Sequence, residues 1–129
     1  MSTQKKITVL SIDDSRAVHA FLDRCLGEPG GADFSITHAM GVKEGLEKLA
    51  QAGGQINVVL LDWEMPEITG FDGLPMILKQ APNLPVIVLT SKNEPADIAS
   101  MLERGAREYM MKPFTPDILF EKLRSVTSG

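Results

Sequence analysis

Acidic, hydroxyl and basic residues follow several short apolar runs in this chain, each at the point where a buried strand would end. They are Asp13 and Asp14, then Asp62, then Thr90 and Ser91, and finally Lys112. If the fold gathers them, the three carboxylates would repel one another by about 1–4 kcal/mol per pair, depending on the dielectric. A hard divalent cation such as Mg²⁺ would relieve that repulsion. A metal ion, an ammonium and a hydroxyl around one carboxylate favour phosphoryl transfer to that carboxylate.

Asp62 has the most informative surroundings. It follows the apolar run Val-Val-Leu-Leu, part of a predicted strand over 56–61 that suits the middle of a sheet buried on both faces. Pro66 comes soon after and prevents the continuation of a strand or helix. Asp62 is therefore predicted at the carboxyl end of a central strand with a loop behind it. Open α/β sheets bind ligands at this position.

The remaining pattern predicts the elements that position these residues. Strands are predicted over 7–12, 34–38, 56–61, 86–89 and 108–111, each followed by a helical pattern. A βα unit repeated five times implies an α/β fold with a doubly wound parallel sheet of five strands, (βα)5. At 129 residues the chain is predicted to be one domain, 1–129. In such a sheet the carboxyl ends of all strands share one edge, so the reactive residues should converge there.

Helical spacing makes further predictions about individual side chains. Inward faces are predicted to include Ala17, Ala50, Leu102 and Ile118, whereas His19 falls outside the apolar stripe and should be solvated. Cys25 is predicted to be core packing rather than a reactive thiol. Because proline is tolerated only in the first helical turn, Pro75 places the start of the third helix near Asp72.

Composition narrows the class of protein. With 43% hydrophobic and 23% charged residues, the chain is neither disordered nor a disulfide scaffold. The net charge of −4 and the absence of a Lys/Arg-rich block argue against a nucleic-acid surface. No apolar run approaches the ~20 residues that span a bilayer, and the amino terminus does not read as a signal peptide. A lone Cys25 is consistent with a reducing, cytoplasmic setting.

Taken together, these motifs resemble the receiver domain of two-component response regulators, most closely the single-domain chemotaxis regulator type, over essentially the whole chain. The matching segments are Asp13-Asp14, Asp62-Trp-Glu-Met-Pro66, Gly70, Thr90-Ser91 and Lys112-Pro-Phe114. Each is weak alone, but their order along the chain is specific. The resemblance implies a flavodoxin-like sheet with strand order 2-1-3-4-5.

The resemblance also implies a phosphoacceptor site. Asp62 would take a phosphoryl group from a phosphohistidine on a sensor histidine kinase or phosphotransfer protein, with Mg²⁺ as cofactor. The implied metal ligands are Asp13, Asp14, Asp62 and the backbone carbonyl of Glu64. Lys112 would pair with Asp62 and then with the phosphoryl oxygens, and its peptide bond to Pro113 is typically cis in this family.

A signalling switch follows from the same resemblance. Thr90 would move toward the new phosphate and Tyr109 would turn inward, so that the face formed by residues 95–127 changes its affinity for a downstream protein. The chain is expected to act without direct nucleic-acid or membrane contact, as a monomer or weak dimer. Its only catalysis would be self-phosphorylation and slow autodephosphorylation.

Several alternatives stay open at this stage. The chain could be the receiver part of a larger regulator with a DNA-binding or enzymatic output domain. It could be a phosphatase with an aspartyl-phosphate intermediate, since such enzymes carry a second acid at the spacing of Glu64, or a scaffold that never takes phosphate. More simply, Asp13 and Asp14 could cap a helix, Thr90 could only end a strand, and Tyr109 could be packing.

Two positions depart from the best-known chemotaxis pattern. Glu64 is an acid where a small amide is common, and Lys92 is basic where an acid is found in that relative. Both would flank the path of the hydrolytic water. We hypothesise that Glu64 and Lys92 pair across the mouth of the site and set the phosphate lifetime. Trp63 is expected to be a partly exposed neighbour of the site.

Overall fold

The computed structural model describes residues 6–127, so the first five and last two residues of the predicted domain lie outside it. The strands are β1 (Ile7–Ile12), β2 (Phe34–Ala39), β3 (Val58–Asp62), β4 (Val86–Thr90) and β5 (Glu108–Met111). The helices are α1 (Arg16–Leu26), α2 (Val42–Ala52), α3 (Gly70–Gln80), α4 (Pro95–Glu103) and α5 (Pro116–Thr127). A short 3₁₀ turn, Pro29–Gly31, follows α1. Within the described range no helix has both the length and the apolar character of a membrane span.

The five strands form one parallel sheet in the order β2-β1-β3-β4-β5, which confirms the predicted topology. β1 lies between β2 and β3, and in register Leu10 pairs with Thr37 on one side and Val59 on the other. The strand order therefore reverses at β1. The gap between the carboxyl ends of β1 and β3 is the switch point where such sheets bind ligands.

The sheet is apolar on both faces because alternate residues of each strand point to opposite sides. Val9 faces a core cluster closed by α1 and α5, where Cys25 is buried as predicted. Leu10 faces a second cluster closed by α2, α3 and α4. Full burial of one such aliphatic side chain stabilises the fold by about 1.5–3 kcal/mol. Because these two clusters cover both faces of the sheet, the polar side chains that follow β1, β3 and β4 lie at the carboxyl ends of the strands.

The predicted inward faces were too wide. Ala17, Ala50, Leu102 and Ile118 are exposed, although the spacing placed them inside. The positions that pack in their place include Gly45 on α2 and Phe120 on α5. Each helix rests on the sheet along a narrow line of contact, so apolar residues at the margin of a stripe remain in solvent.

His19 is buried, so its predicted solvation is wrong. Its side chain is 7% exposed, and Nε2 lies 2.7 Å from the backbone carbonyl of Asp13. A buried polar group is stable when it is hydrogen-bonded, and this bond is not visible in helical periodicity.

The start of α3 also differs from the prediction. Its N-cap is Thr69, whose Oγ1 accepts a hydrogen bond from the Asp72 N–H at 3.3 Å, so Pro75 lies beyond the first turn. Proline cannot donate to the carbonyl one turn earlier, that of Phe71. Arg104 supplies the missing donor, with Nε 2.8 Å from that oxygen and the guanidinium 3.5 Å from the Phe71 ring centroid. A side chain from the end of α4 therefore makes the interior proline tolerable.

Candidate functional site

Asp62 ends β3 at the predicted position, and its side chain is only 3% exposed. Its Oδ1 accepts a hydrogen bond from the Glu64 N–H at 3.1 Å and lies 3.1 Å from Lys112 Nζ. Both contacts use the same carboxylate oxygen. The acid is thus held in one orientation by the loop behind it and by a cation from the far end of the chain.

Gly70 allows this loop to fold back onto β3. Its N–H donates to the carbonyl of Trp63 at 3.1 Å, and a Cβ at this position would lie 2.6 Å from the carbonyl oxygen of Asp62. Real Cβ atoms do not approach oxygen so closely, so only glycine fits without displacing the loop. Gly70 therefore belongs to the support of the site, which explains its place in the motif.

Asp13 lies beside Asp62 at the end of β1 and is 1% exposed. Its Oδ1 accepts a hydrogen bond from the Ser15 N–H at 2.9 Å, and its Oδ2 lies 3.1 Å from Lys112 Nζ. Among residues 6–127, however, Oδ2 has no hydrogen-bond partner of good geometry. The ammonium is close enough to attract this oxygen but is poorly directed at it, so a buried carboxylate oxygen remains incompletely satisfied.

Asp14 completes the predicted acidic cluster from an exposed position. One carboxylate oxygen from each of Asp13, Asp14 and Asp62 lies within 4.8 Å of the others. Oxygen donors around an incompletely satisfied carboxylate fit a hard divalent cation such as Mg²⁺, which prefers one or two carboxylates plus water. We call Asp13, Asp14, Asp62 and Lys112 the acidic centre.

Burial and charge oppose each other within the acidic centre. Burial raises the pKa of Asp13 above its ordinary value of 3.8; the Ser15 N–H and Lys112 lower it, and the Asp62 carboxylate raises it further. Burial alone would lower the pKa of Lys112, but the adjacent Asp13 and Asp62 carboxylates outweigh it and raise that pKa. Lys112 therefore stays charged, while Asp13 still carries a cost of ionisation that a cation would relieve.

The second part of the site is a hydroxyl rim formed by Glu64, Thr90 and Ser91. Glu64 Oε1 accepts hydrogen bonds from Thr90 Oγ1 at 3.1 Å and the Ser91 N–H at 2.9 Å. Its Oε2 accepts from Ser91 Oγ at 2.7 Å. Burial would raise the pKa of Glu64, but these bonds, with the charge of Lys112, outweigh it and lower that pKa. The rim is therefore fully bonded around an ionised carboxylate.

The predicted ion pair between Glu64 and Lys92 is wrong. No salt bridge joins these two side chains in the part of the chain described by the structure. Lys92 instead contacts the rim through its backbone, whose N–H donates to Thr90 Oγ1 at 2.9 Å. The hydroxyls at the end of β4 are nearer and satisfy the carboxylate. Sequence reasoning singled out Ser91 but missed its bonds to Glu64.

Trp63 is also not as predicted, because it is buried at 8% exposure rather than partly exposed. Its backbone N–H donates to the Leu89 carbonyl at 2.9 Å, and its ring meets the Phe71 ring edge-on at 5.8 Å between centroids. The indole packs into the cluster beneath α3. It remains adjacent in sequence to Asp62, so its environment reports on the site.

The residues of β5 and of the loop that follows it lie largely where predicted. The Lys112–Pro113 peptide is cis, and Phe114 is buried with its ring 5.3 Å from that of Phe21. Tyr109 is half-buried against the core on the α2–α4 side of the sheet, and Lys122 Nζ lies 5.3 Å from its ring centroid. The structure thus gathers Asp13, Asp14, Asp62, Thr90 and Lys112 at one edge.

Comparison with known proteins agrees with this geometry. The family described as the response regulator receiver domain matches residues 9–124. Chemotaxis protein CheY1 of Helicobacter pylori is 32% identical over 120 residues, which cover 92% of this chain and 94% of that protein. Two-component response regulator ORR3 of rice, Oryza sativa subsp. indica, is 32% identical over 110 residues, 84% of this chain and 81% of that one.

Among solved structures, Vibrio cholerae chemotaxis protein CheY4 superposes with a TM-score of 0.84 at 26% identity, covering 94% of this chain and 98% of that one. The shared fold, the family match over almost the whole chain and the acidic cluster at the switch point all agree. This chain belongs to the family of response regulator receiver domains, CheY-like signalling proteins of two-component systems.

Proposed function

We propose that this protein is a phosphorylation-controlled switch in which Asp62 accepts a phosphoryl group from a phosphohistidine on a sensor histidine kinase or phosphotransfer protein. One observation carries the proposal: the Lys112 ammonium lies 3.1 Å from both Asp13 Oδ2 and Asp62 Oδ1 at the switch point of the sheet. A cation held between two buried carboxylates is suited to receive additional negative charge there.

Mg²⁺ is the proposed cofactor, held by Asp13, Asp14, Asp62 and the backbone carbonyl of Glu64. When bound, it would neutralise charge on the phosphoryl oxygens. The incompletely satisfied Oδ2 of Asp13 supports this assignment, because a buried carboxylate oxygen gains most from a ligand.

The chain's own residues suit the transfer. Oδ1 of Asp62 is engaged by Glu64 and Lys112, so Oδ2 is the nucleophile that we assign. The bond from Oδ2 to phosphorus forms as the phosphorus–nitrogen bond breaks, and the nitrogen's electron pair returns to the donor imidazole. Lys112 would then bind a phosphoryl oxygen while keeping its pKa raised by the neighbouring negative charge.

The switch would begin at the hydroxyl rim. Thr90 Oγ1 donates to Glu64, so it must leave that carboxylate before it can bind a phosphoryl oxygen. Tyr109, paired in register with Val88 just before the end of β4, would turn inward as Thr90 moves. The face formed by residues 95–127 would then change its affinity for a downstream protein, bounded by the difference in contacts between the two states.

The remaining expectations complete the proposal. The protein would catalyse only its own phosphorylation and slow dephosphorylation, work in the cytoplasm without binding nucleic acid or membrane, and be a monomer or weak dimer. Residues 1–129 would act as one receiver domain.

Trp63 fluorescence tests the proposal. Acetyl phosphate or beryllofluoride with Mg²⁺ should change the emission of the wild type, because the indole is adjacent to Asp62 and contacts Phe71. Asp62→Asn should abolish the change, and phosphoprotein mass analysis should find the label on Asp62 alone. An equal response from Asp62→Asn, or a label elsewhere, would refute the assignment.

A further inference from the structure

The two histidines of this chain meet outside the acidic centre, between α1 and β2. His19 Nδ1 lies 2.6 Å from His38 Nδ1, and the ring centroids are 4.3 Å apart. The outer nitrogens have separate partners. His19 Nε2 lies 2.7 Å from the Asp13 carbonyl oxygen, and His38 Nε2 lies 2.8 Å from Asp23 Oδ1.

These partners determine where the hydrogens lie. A backbone carbonyl and an ionised carboxylate only accept hydrogen bonds, so both Nε2 atoms must be donors. When both rings are neutral, each Nδ1 atom therefore presents a lone pair toward the other. Two bare lone pairs repel at 2.6 Å, so this arrangement is stable when a positive species lies between the two nitrogens. It is either one shared hydrogen or a metal ion.

The outer bonds are those of metal-binding histidines. A ligating imidazole almost always donates its other N–H to a carboxylate or backbone carbonyl, which fixes the tautomer and aims the lone pair at the ion. Here the His38 ring donates to a carboxylate and the His19 ring donates to a backbone carbonyl. Ser11 Oγ lies 3.4 Å from His19 Nδ1 and offers a third polar atom on the same side.

We propose that the His19–His38 pair is a binding site for a borderline divalent transition-metal ion of the Zn²⁺ class, held through the two Nδ1 atoms. Imidazole nitrogen suits such ions, whereas the oxygen ligands of the acidic centre suit Mg²⁺. The Ser11 hydroxyl and water would complete the coordination.

Binding requires only a small movement. With Zn–N bonds of about 2.0–2.1 Å in tetrahedral geometry, the two nitrogens must separate to about 3.3 Å. His19 is fixed between α1 and β1, but His38 lies on the edge strand β2, half-exposed, and can move outward. The nearby charges are the Asp23 and Glu44 carboxylates and the Lys48 ammonium, which bonds to the His38 carbonyl. The acids outnumber the lysine, which favours a cation.

The test is Zn²⁺ titration by calorimetry on tag-free protein with Mg²⁺ in excess, so that the acidic centre is saturated. We expect one Zn²⁺ per chain in the wild type and loss of this binding in His38→Gln. Asp23→Asn should weaken it by about tenfold, because the carboxylate orients the ligand. The matched control Glu28→Gln, an exposed acid beyond the end of α1, should bind like the wild type.

Nitrogen-detected NMR of the imidazoles provides a second readout, since the chain has only two histidines. Zn²⁺ should shift both Nδ1 resonances, whereas both Nε2 resonances should remain those of protonated nitrogens. Failure of the wild type to bind Zn²⁺, or unchanged stoichiometry in a folded His38→Gln, would overturn the proposal and leave a shared hydrogen as the only occupant.

Discussion

The acidic centre and the hydroxyl rim share one edge of the sheet but differ in how completely their carboxylates are hydrogen-bonded. In the acidic centre, two buried carboxylates share one lysine, and an oxygen of Asp13 lacks a well-directed partner. In the rim, Glu64 accepts three hydrogen bonds from Thr90 and Ser91. One region is arranged to gain a ligand, and the other must give up bonds before it can move. A switch needs both properties.

The largest difference between the two regions should appear on removal of the lysine. Lys112→Ala would leave two buried carboxylates, Asp13 and Asp62, without a cation. We therefore expect a loss of about 2 kcal/mol in unfolding free energy without Mg²⁺. Urea denaturation measures the loss, and Mg²⁺ should restore part of it. Lys122→Ala, which breaks a 3.3 Å surface pair with Glu108, should cost about 0.5 kcal/mol or less. Equal losses would contradict the special role of Lys112.

Removing a carboxylate from the acidic centre should have the opposite effect on the free energy of unfolding. Asp13→Asn keeps an acceptor for the Ser15 N–H but removes like-charge repulsion with Asp62, so it should stabilise the metal-free protein by about 1 kcal/mol. It should also abolish the stabilisation that we expect Mg²⁺ to give the wild type. Thermal unfolding with and without Mg²⁺ tests both expectations. The exposed acid Asp33, changed to Asn, is the control and should shift stability by less than about 0.5 kcal/mol.

The two regions should also respond oppositely to pH. The raised pKa of Asp13 means that the folded state binds its proton more tightly, so this residue's contribution to stability falls as pH rises above 3.8. The lowered pKa of Glu64 means that its contribution is present above 4.5 and is lost as pH falls through its folded value. Asp13→Asn should therefore differ from wild type only above about pH 3.8. Glu64→Gln should lose about 1 kcal/mol near neutral pH and converge on wild type in acid. Parallel curves would contradict this assignment.

The last predicted effects concern phosphate lifetime rather than stability. Glu64→Asn shortens the side chain and frees Thr90 and Ser91, so we expect dephosphorylation about fivefold faster, equivalent to about 1 kcal/mol of activation free energy. Lys92→Ala should change the rate less, because Lys92 reaches the rim through its backbone. Timed decay of the labelled protein measures both. An unchanged lifetime in Glu64→Asn, or a larger effect from Lys92→Ala, would reject Glu64 as the tuning residue.

The acidic centre was predictable from sequence because it depends on topology. Once alternating strands and helices imply a parallel sheet, the residues after β1, β3 and β5 must lie along one edge of it. β4 lies between β3 and β5, so the long side chain of Lys112 makes the contact with the two carboxylates. The hydrogen bonds of the hydroxyl rim could not be predicted from topology. Glu64 could reach Lys92 or the Thr90–Ser91 hydroxyls, and the choice rests on distances between two loops that no periodicity encodes.

The same limit explains the remaining errors. His19 is held inside by a bond to the Asp13 carbonyl, and α3 accommodates Pro75 because Arg104 reaches it from another helix. Both depend on partners distant from the local pattern. Helical spacing shows which apolar residues share one face of a helix. That apolar stripe is wider than the part of the helix that contacts the sheet, so Leu102 and Ile118 remain in solvent.

The contact between Arg104 and the Phe71 carbonyl has an evolutionary consequence. Replacing Pro75 would restore an internal donor and make the arginine dispensable, whereas losing the arginine while the proline remains would leave the exposed Phe71 carbonyl to water alone. The two positions are therefore coupled, because the effect of replacing Arg104 depends on whether residue 75 is a proline. A lineage that changed the proline early would be free to reshape the end of α4, where an output partner would meet it.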